Sequence, residues 1–307
     1  MVLLKSVDRD GAARFVTRVG AGALALLALA APSAALAQGR EKPSGEKPVE
    51  ADKTGVDSEH IFGFTEGSDI GDKGEKEIEY NGVARFGKPG RFFALNNELL
   101  FKYVVADRFR AAVGVTADAF SIRGVPDIRN RTLFTPSGVS GEFRYQLVER
   151  KSAPFGLTFT FEPSYRRIDD TTGERLVNYA LPVGLLFDTA LVPDKVFAAV
   201  NVAYTPSFTR ADGVSTQGNA TEASAALAFV VNDRMLVGGE LRTFSLNRGG
   251  LFRTNAVYVG PSAYFKVADN VSLTTAYSVQ LPSPSTGRSD LVNFERHQFF
   301  VRLAVGF

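Results

Sequence analysis

The sequence lacks cysteine and tryptophan, and it contains only two histidines, His60 and His297. Without cysteine the chain has no disulfides and no thiolate for catalysis or metal binding. It also lacks an excess of one charge sign. Residues 1–37 hold four basic side chains against Asp8 and Asp10, which leaves 31 charges of each sign in the remainder. Because nucleic-acid binding depends on clustered Lys and Arg, this neutral and interspersed pattern argues against a nucleic-acid partner.

A single long apolar run, residues 19–37, follows a basic leader and ends in Ala35-Leu36-Ala37 before Gln38. This pattern predicts a secretory signal peptide over residues 1–37, cleaved between Ala37 and Gln38. An uncleaved membrane anchor is the alternative, and Pro32 and the small residues at the end of the run argue against it. Elsewhere the sequence has no stretch of the ~20 apolar residues that a spanning helix needs. If the mature chain lies in a membrane, strands must place it there.

From about Glu75 onward, runs of 9–14 residues alternate between apolar and other side chains, which is typical of strands with two different faces. The last run is the clearest, with five apolar residues at every second position: Phe299, Val301, Leu303, Val305 and Phe307. In a soluble sheet such a face would cover a core, whereas in a membrane barrel it faces lipid. Strands that span a membrane at a tilt need ~9 to 11 residues and ordinary strands average ~5 to 6, so the lengths favour a barrel.

This terminal pattern resembles the last strand of Gram-negative outer-membrane β-barrels, by which the barrel-assembly machinery recognises them. Phe299, Val301, Leu303, Val305 and Phe307 carry the resemblance. Residues 60–67 and 73–79 also resemble the lead into the first strand of uncharacterised porin-like small barrels. The resemblance implies a protein of the outer membrane and cell envelope, with outer-membrane lipid and the assembly machinery as partners.

Short turns recur at a nearly fixed interval. Related four-residue turns start at residues 105, 192, 231 and 267, and a degenerate copy starts at 148. Longer polar connections lie between them at 123–136, 167–175, 209–221, 246–253 and 281–293. Short turns on one side and long loops on the other are typical of outer-membrane barrels. Five such turns separate six hairpins, which predicts an all-β fold, a transmembrane antiparallel up-and-down β-barrel of about twelve strands. Pro163, Pro182, Pro206 and Pro261 fall inside predicted strands, where each removes a ladder donor.

The predicted organisation has three parts: the signal peptide 1–37, a flexible periplasmic segment 38–74 and the barrel 75–307. The segment is expected to be flexible because residues 38 to about 57 are rich in Lys, Glu, Pro and Gly, with few large apolar side chains to offset the entropy of ordering.

The alternation also predicts which charges face the lumen. They are Glu98, Lys102, Arg110, Asp118, Glu142, Arg144, Glu162, Arg166, Glu240, Arg242 and Arg302. Inward charges need water or partners. We therefore expect a passive channel or transporter for small polar solutes or ions. A barrel closed by paired charges, with a structural or surface-interaction role, is the alternative, and a soluble sheet whose charges are simply solvated is a less favoured one.

An outer-membrane hydrolase is the third possibility, and it would depend on His297 meeting Ser283, Ser285 or Asp290 from neighbouring loops. No pattern fixes that geometry, so we do not expect an enzyme. Asp169, Asp170 and Glu174 could supply oxygen ligands for Ca²⁺, but a solvated acidic loop is the favoured interpretation. The sequence has no P-loop, His-Glu-x-x-His or Gly-x-Ser-x-Gly element, and we expect no cofactor and no metal.

Overall fold

The computed structural model describes residues 59–248 and 252–307. The predicted signal peptide, its cleavage site at Ala37 and Gln38, and residues 38–58 lie outside the described residues. Fourteen β-strands are formed: β1 Lys76–Phe86, β2 Arg91–Ala106, β3 Phe109–Arg123, β4 Arg131–Val148, β5 Gly156–Phe161, β6 Ser164–Ile168, β7 Arg175–Ala180, β8 Val183–Val192, β9 Val196–Ala211, β10 Val214–Asn232, β11 Met235–Arg248, β12 Phe252–Ala268, β13 Val271–Gln280 and β14 His297–Gly306. Within the described ranges no helix is long and apolar enough to cross a membrane.

All the strands belong to one antiparallel sheet that closes on itself, because β1 pairs with β14 as well as with β2. The fourteen strands occupy twelve positions around the barrel. β5 and β6 are collinear halves of one position, since both pair with β4, and β7 and β8 both pair with β9. The prediction of an antiparallel up-and-down barrel of about twelve strands is confirmed.

The two divided positions break at proline. The gap between β5 and β6 is Glu162-Pro163, and the gap between β7 and β8 is Leu181-Pro182. Backbone bonds cross both gaps: the Glu162 amide donates to the Pro182 carbonyl at 2.9 Å, and the Leu181 amide donates to the Pro206 carbonyl at 3.0 Å. Three of the prolines predicted within strands therefore meet at one level of the wall, where the ladder is already interrupted.

Pro261 remains inside a strand. Its position pairs with Gly239 of β11, but the β12–β13 ladder lapses between Val259 and Ser262. The missing amide of Pro261 therefore faces an interrupted stretch of the ladder.

The five short turns that the sequence predicted all lie at one end of the barrel, here called the turn side. The opposite end, the loop side, differs from the prediction at residues 209–221. Instead of a polar loop, β9 and β10 continue in pairing to a two-residue turn at Asp212-Gly213. Both residues have positive φ, 48° and 79°, which Asp-Gly tolerates and which suits a tight hairpin. The polar composition of this stretch therefore belongs to a hairpin extension.

Side chains alternate between a buried inward face and an exposed outward face along the strands. The exposed face carries large apolar residues around the barrel, among them Leu99, Val113, Phe143, Phe159, Leu185, Val202, Leu241 and Leu303. An apolar exterior over charged interior positions is the reverse of a soluble barrel and matches a barrel that faces lipid.

Candidate functional site

The lumen is occupied by residues 59–70, here called the lumen segment. Ile61, Phe62, Thr65 and Ile70 are each at most 2% exposed. For residues 59–70 this corrects the expectation of a flexible periplasmic segment over residues 38–74. The expectation rested on the polar composition of residues 38–57, whereas the stretch that begins at Ile61 carries apolar side chains that are stabilised by burial.

Apolar contacts anchor the segment near the turn side. Ile61 and Phe62 pack against Phe197, Leu236 and Tyr264 of the wall. Closer to the loop side, the centroid of the Phe64 ring lies 5.1 Å from that of the Phe300 ring. The Arg242 guanidinium lies 3.4 Å from the Phe64 centroid. Full burial of a side chain such as Phe62 is worth about 1.5–3 kcal/mol, and a cation over an aromatic face adds to this.

Wall side chains, rather than wall backbone, satisfy the backbone of the segment. The amides of Gly63, Phe64 and Thr65 all donate to the Glu240 carboxylate, at 2.9 Å for Phe64 and 3.0 Å for Thr65. The Asn201 side chain accepts from the Glu66 amide at 2.8 Å and donates to its carbonyl at 3.0 Å. The segment is therefore docked in a defined register without extending the sheet.

The same pattern continues at both ends of the segment. The Thr274 hydroxyl donates to the His60 carbonyl at 2.7 Å, and the Asp188 carboxylate accepts from the Ser68 amide at 3.2 Å. Gly63 also has to be glycine for packing reasons, because a Cβ there would collide with Ala276 and with the Glu240 carboxylate.

Two carboxylates of the segment meet four cations of the wall, Lys102, Arg110, Arg144 and Arg302, here called the cationic cradle. The Glu59 carboxylate lies 3.0 Å from Lys102 Nζ and is also paired with Arg110. The Glu66 carboxylate accepts from Arg302 at 2.8 Å and from Arg144. All four cationic side chains are at most 4% exposed. Buried charges of this kind require close pairing, which the segment supplies together with carboxylates of the wall.

One group of side chains has the composition of a metal site. Glu59, His60, Glu77 and Glu79 place one potential ligand atom each within 4.8 Å of one another. Lys102 Nζ, however, lies 3.0 Å from the Glu77 carboxylate and 2.6 Å from the Glu79 carboxylate, in addition to its contact with Glu59. The ammonium of Lys102 thus takes the position at which these oxygens would bind a cation.

All eleven charged residues that the sequence predicts for the lumen are buried or half-buried. Eight are buried: Lys102, Arg110, Asp118, Glu142, Arg144, Glu240, Arg242 and Arg302. Glu98, Glu162 and Arg166 are half-buried. Glu98 accepts from the Ser140 hydroxyl, Glu162 from the Thr160 hydroxyl, and Arg166 pairs with Asp118. Among the residues of the predicted assembly signal, Phe299, Leu303 and Phe307 are exposed on the outer face, and Val301 and Val305 are half-buried there.

Sequence reasoning found some partners of these charges, such as Asp118 for Arg166, but missed four carboxylates: Glu59, Glu66, Glu77 and Glu79. Glu77 and Glu79 alternate with Ile78 and Tyr80 in β1, so the same period-two argument could have found them. Glu59 and Glu66 carry no such signal, because the segment that holds them has no strand periodicity.

Apolar side chains pack together at the loop side of the lumen. Phe294, at the end of the β13–β14 connection, packs with Ala256 and Tyr258. Lys88 fixes this connection by donating to the carbonyls of Leu291, Val292 and Phe294 at 3.2, 3.0 and 2.7 Å. Burial lowers the pKa of the Lys88 amine below its ordinary value.

The loop residues considered for Ca²⁺ binding and catalysis have other partners. Asp169 accepts the amides of Thr171 and Thr172, Asp170 pairs with Arg85, and Glu174 pairs with Arg131. His297 Nδ1 is hydrogen-bonded to the Tyr277 hydroxyl at 2.7 Å, and its ring stacks on Phe86. Ser283 and Ser285 are hydrogen-bonded to each other at 2.9 Å.

Comparison with known proteins gives a family and a fold. DUF6662, a family of unknown function, matches residues 54–307. No curated protein matches the chain. Among solved structures, an outer-membrane channel of Pseudomonas putida F1 (COG4313) is similar at 11% identity and a TM-score of 0.50, over 78% of this chain and 97% of that one. The β domain of the Bordetella autotransporter BrkA is similar at 13% identity and a TM-score of 0.49, over 77% of this chain and 100% of that one. The NanC porin is similar at 10% identity and a TM-score of 0.46, over 74% of this chain and 98% of that one. At these identities the likeness concerns the fold, which is that of outer-membrane β-barrels.

Proposed function

The chain belongs to DUF6662, a family of unknown function, and we propose that it forms an outer-membrane channel for small polar solutes or ions, which its own lumen segment closes. Barrel diameter grows with strand number: ~8 strands give an interior that side chains fill, and 16 to 18 leave a wide aqueous channel. Twelve positions leave an interior of intermediate width. Here a piece of the chain fills it.

The observation that carries the proposal is the way the segment is held. Backbone groups of the segment bond to wall side chains such as Glu240 and Asn201, and the Gly67 amide bonds within the segment to the Glu59 carbonyl at 3.2 Å. None of these bonds belongs to the pairing between barrel strands. The charged wall that it leaves behind favours water and polar solutes.

The second candidate is a permanently closed barrel with a structural or surface role in the envelope. The observation in its favour is the depth of burial: His60, Phe62 and Thr65 are each at most 1% exposed, so the segment is packed closely against the wall. The two candidates differ in one respect, which is whether the segment leaves the lumen of a folded barrel.

Planar-bilayer conductance tests this difference. Residues 59–70 would be replaced by a Gly/Ser stretch of the same length. As a matched control, the exposed loop residues 284–288 would be replaced in the same way. We expect low conductance from the unmodified protein and the control, and frequent large openings from the variant without the lumen segment. A variant that retains its β circular dichroism but conducts no better than the control would favour the closed barrel.

A further inference from the structure

The cationic cradle has the chemistry of a binding site that the chain itself occupies. We infer that Lys102, Arg110, Arg144 and Arg302 form a binding site for solutes with two or more carboxylates, which compete with Glu59 and Glu66 of the lumen segment. The inference rests on the proposed function, because the solute reaches the cradle through the lumen.

The Glu66 position shows how such a site recognises a carboxylate. Its Oε1 accepts from Arg302 Nη2 at 2.8 Å, and its Oε2 accepts from Arg144 Nη2. Arg302 lies on β14 and Arg144 on β4, four positions apart around the barrel, so the carboxylate bridges two parts of the wall. Each guanidinium donates to a different oxygen, so both oxygens of one carboxylate accept a charge-assisted hydrogen bond.

The Glu59 position is a second and similar one. Lys102 Nζ lies 3.0 Å from Oε1, Arg144 Nη1 lies 3.5 Å from the same oxygen, and Arg110 Nη1 pairs with Oε2. Arg144 thus contributes to both positions. A ligand with two carboxylates could engage both, which a single carboxylate cannot do.

The wall alone does not balance the cradle. Three wall carboxylates lie among its four cations: Glu77, Glu79 and Glu142. Glu142 is already shared, at 3.0 Å from Arg110 and 2.8 Å from Arg144. When the segment leaves, the two carboxylates that held Arg144 and Arg302 leave with it, and an anion of the same chemistry becomes favourable there.

The cationic cradle also contains N–H groups that have no hydrogen-bond acceptor in the part of the chain that the structure describes. Arg144 Nε, Arg110 Nε and Arg302 Nη1 are buried with no hydrogen-bond acceptor among the described residues. Donors in this state are costly to leave unpaired, and a ligand with more oxygens than the two segment carboxylates would satisfy them. This favours a polycarboxylate over a single carboxylate.

The test uses the full-length protein in detergent and the Glu66→Gln variant, which keeps an oxygen acceptor but removes the charge that competes for the cradle. The probe is citrate, with acetate as the monocarboxylate comparison, and the readout is isothermal titration calorimetry. We expect Glu66→Gln to bind citrate at least tenfold more tightly than the unmodified protein does, and to bind acetate much more weakly than citrate. The double variant Glu66→Gln with Arg302→Gln should bind citrate no more tightly than the unmodified protein does.

Glu222→Gln is the matched control. Glu222 also faces the lumen, but it lies 3.8 Å from Arg242, outside the cradle. An equal gain in citrate affinity from Glu222→Gln, or no gain from Glu66→Gln, would overturn the inference. If Glu66→Gln does not fold, the Gly/Ser replacement of residues 59–70 serves instead, since it frees both positions of the cradle. This variant should then bind citrate at least tenfold more tightly than the unmodified protein does. Equal citrate affinity of the two proteins would refute the site.

Conductance separates this inference from the proposed function. In an open variant we expect the reversal potential under a KCl gradient to indicate preference for chloride, and citrate to block at lower concentration than acetate. A conducting variant without either property would remove the anion site and leave the channel in place. A variant that binds citrate but never conducts would support the anion site and refute the channel.

Discussion

Glu240→Gln tests whether the lumen segment is held by the contacts described above. The Glu240 Oε1 accepts from the Gly63 amide, and its Oε2 accepts from the Phe64 and Thr65 amides, at 2.9 and 3.0 Å for the latter two. Glutamine has nearly the same shape but only one oxygen, so its NH₂ group must face either the Gly63 amide or the other two. The substitution therefore removes the charge and places the NH₂ group of the glutamine opposite at least one backbone N–H of the segment, so that two hydrogen-bond donors face each other.

The magnitude follows from the bonds lost. A hydrogen bond to a charged group contributes about 1.5–3 kcal/mol, and at least one such bond is lost. Since about 1.4 kcal/mol corresponds to a factor of ten, the undocked population of the segment should rise roughly 10- to 100-fold. Amide hydrogen exchange reports this population directly when exchange proceeds through local opening.

We therefore expect the amides of Gly63, Phe64 and Thr65 to exchange roughly 10- to 100-fold faster in Glu240→Gln, with the strand amides of β3 unchanged as the internal reference. Glu222→Gln is the control, since it removes a lumen carboxylate that does not hold the segment backbone. If the three amides exchange at the same rate in Glu240→Gln as in the unmodified protein, Glu240 does not hold the segment in the lumen.

Three other predictions follow from the described contacts and the sequence. Gly63→Ala should also undock the segment, because the added Cβ collides with Ala276, and increased protease cleavage near residue 63 of an otherwise folded barrel would show it. Lys88→Met should remove three hydrogen bonds to carbonyls of the β13–β14 connection and speed amide exchange at Phe294 while the barrel stays folded; unchanged exchange there would contradict the proposed role of Lys88. N-terminal sequencing of the envelope form should begin at Gln38, and a sequence beginning near Met1 would refute the signal peptide.

The sequence was sufficient to predict the wall of the barrel. Strand alternation is local, so Phe299 and Leu303 could be assigned to the outer face and Arg302 to the inner face without knowledge of any partner. Turns such as Asp107-Arg108 are local in the same way. The residues that broke the strand pattern, Pro163 and Pro182, mark real interruptions of the ladder.

The contents of the lumen could not be predicted in this way. The segment has no period, and its partners are distant in sequence: Glu240 is 176 positions from Phe64, and Arg302 is 236 positions from Glu66. Its backbone is bound by wall side chains, and contacts of that kind leave no pattern in the segment itself. Composition was misleading at residues 209–221 for a different reason, since a hairpin that extends beyond the barrel wall can be polar on both faces.

The paired breaks at Pro163 and Pro182 also have a mechanical consequence. Beyond them, β6 and β7 form a hairpin that joins β4 through Gly138, Val139 and Ser140, and joins β9 through residues 207–210. At the two breaks, single backbone bonds such as that from the Glu162 amide to the Pro182 carbonyl take the place of regular strand pairing. We expect the backbone amides of this hairpin to exchange faster than those of β5 and β8, because fewer ladder bonds connect it to the turn side of the wall.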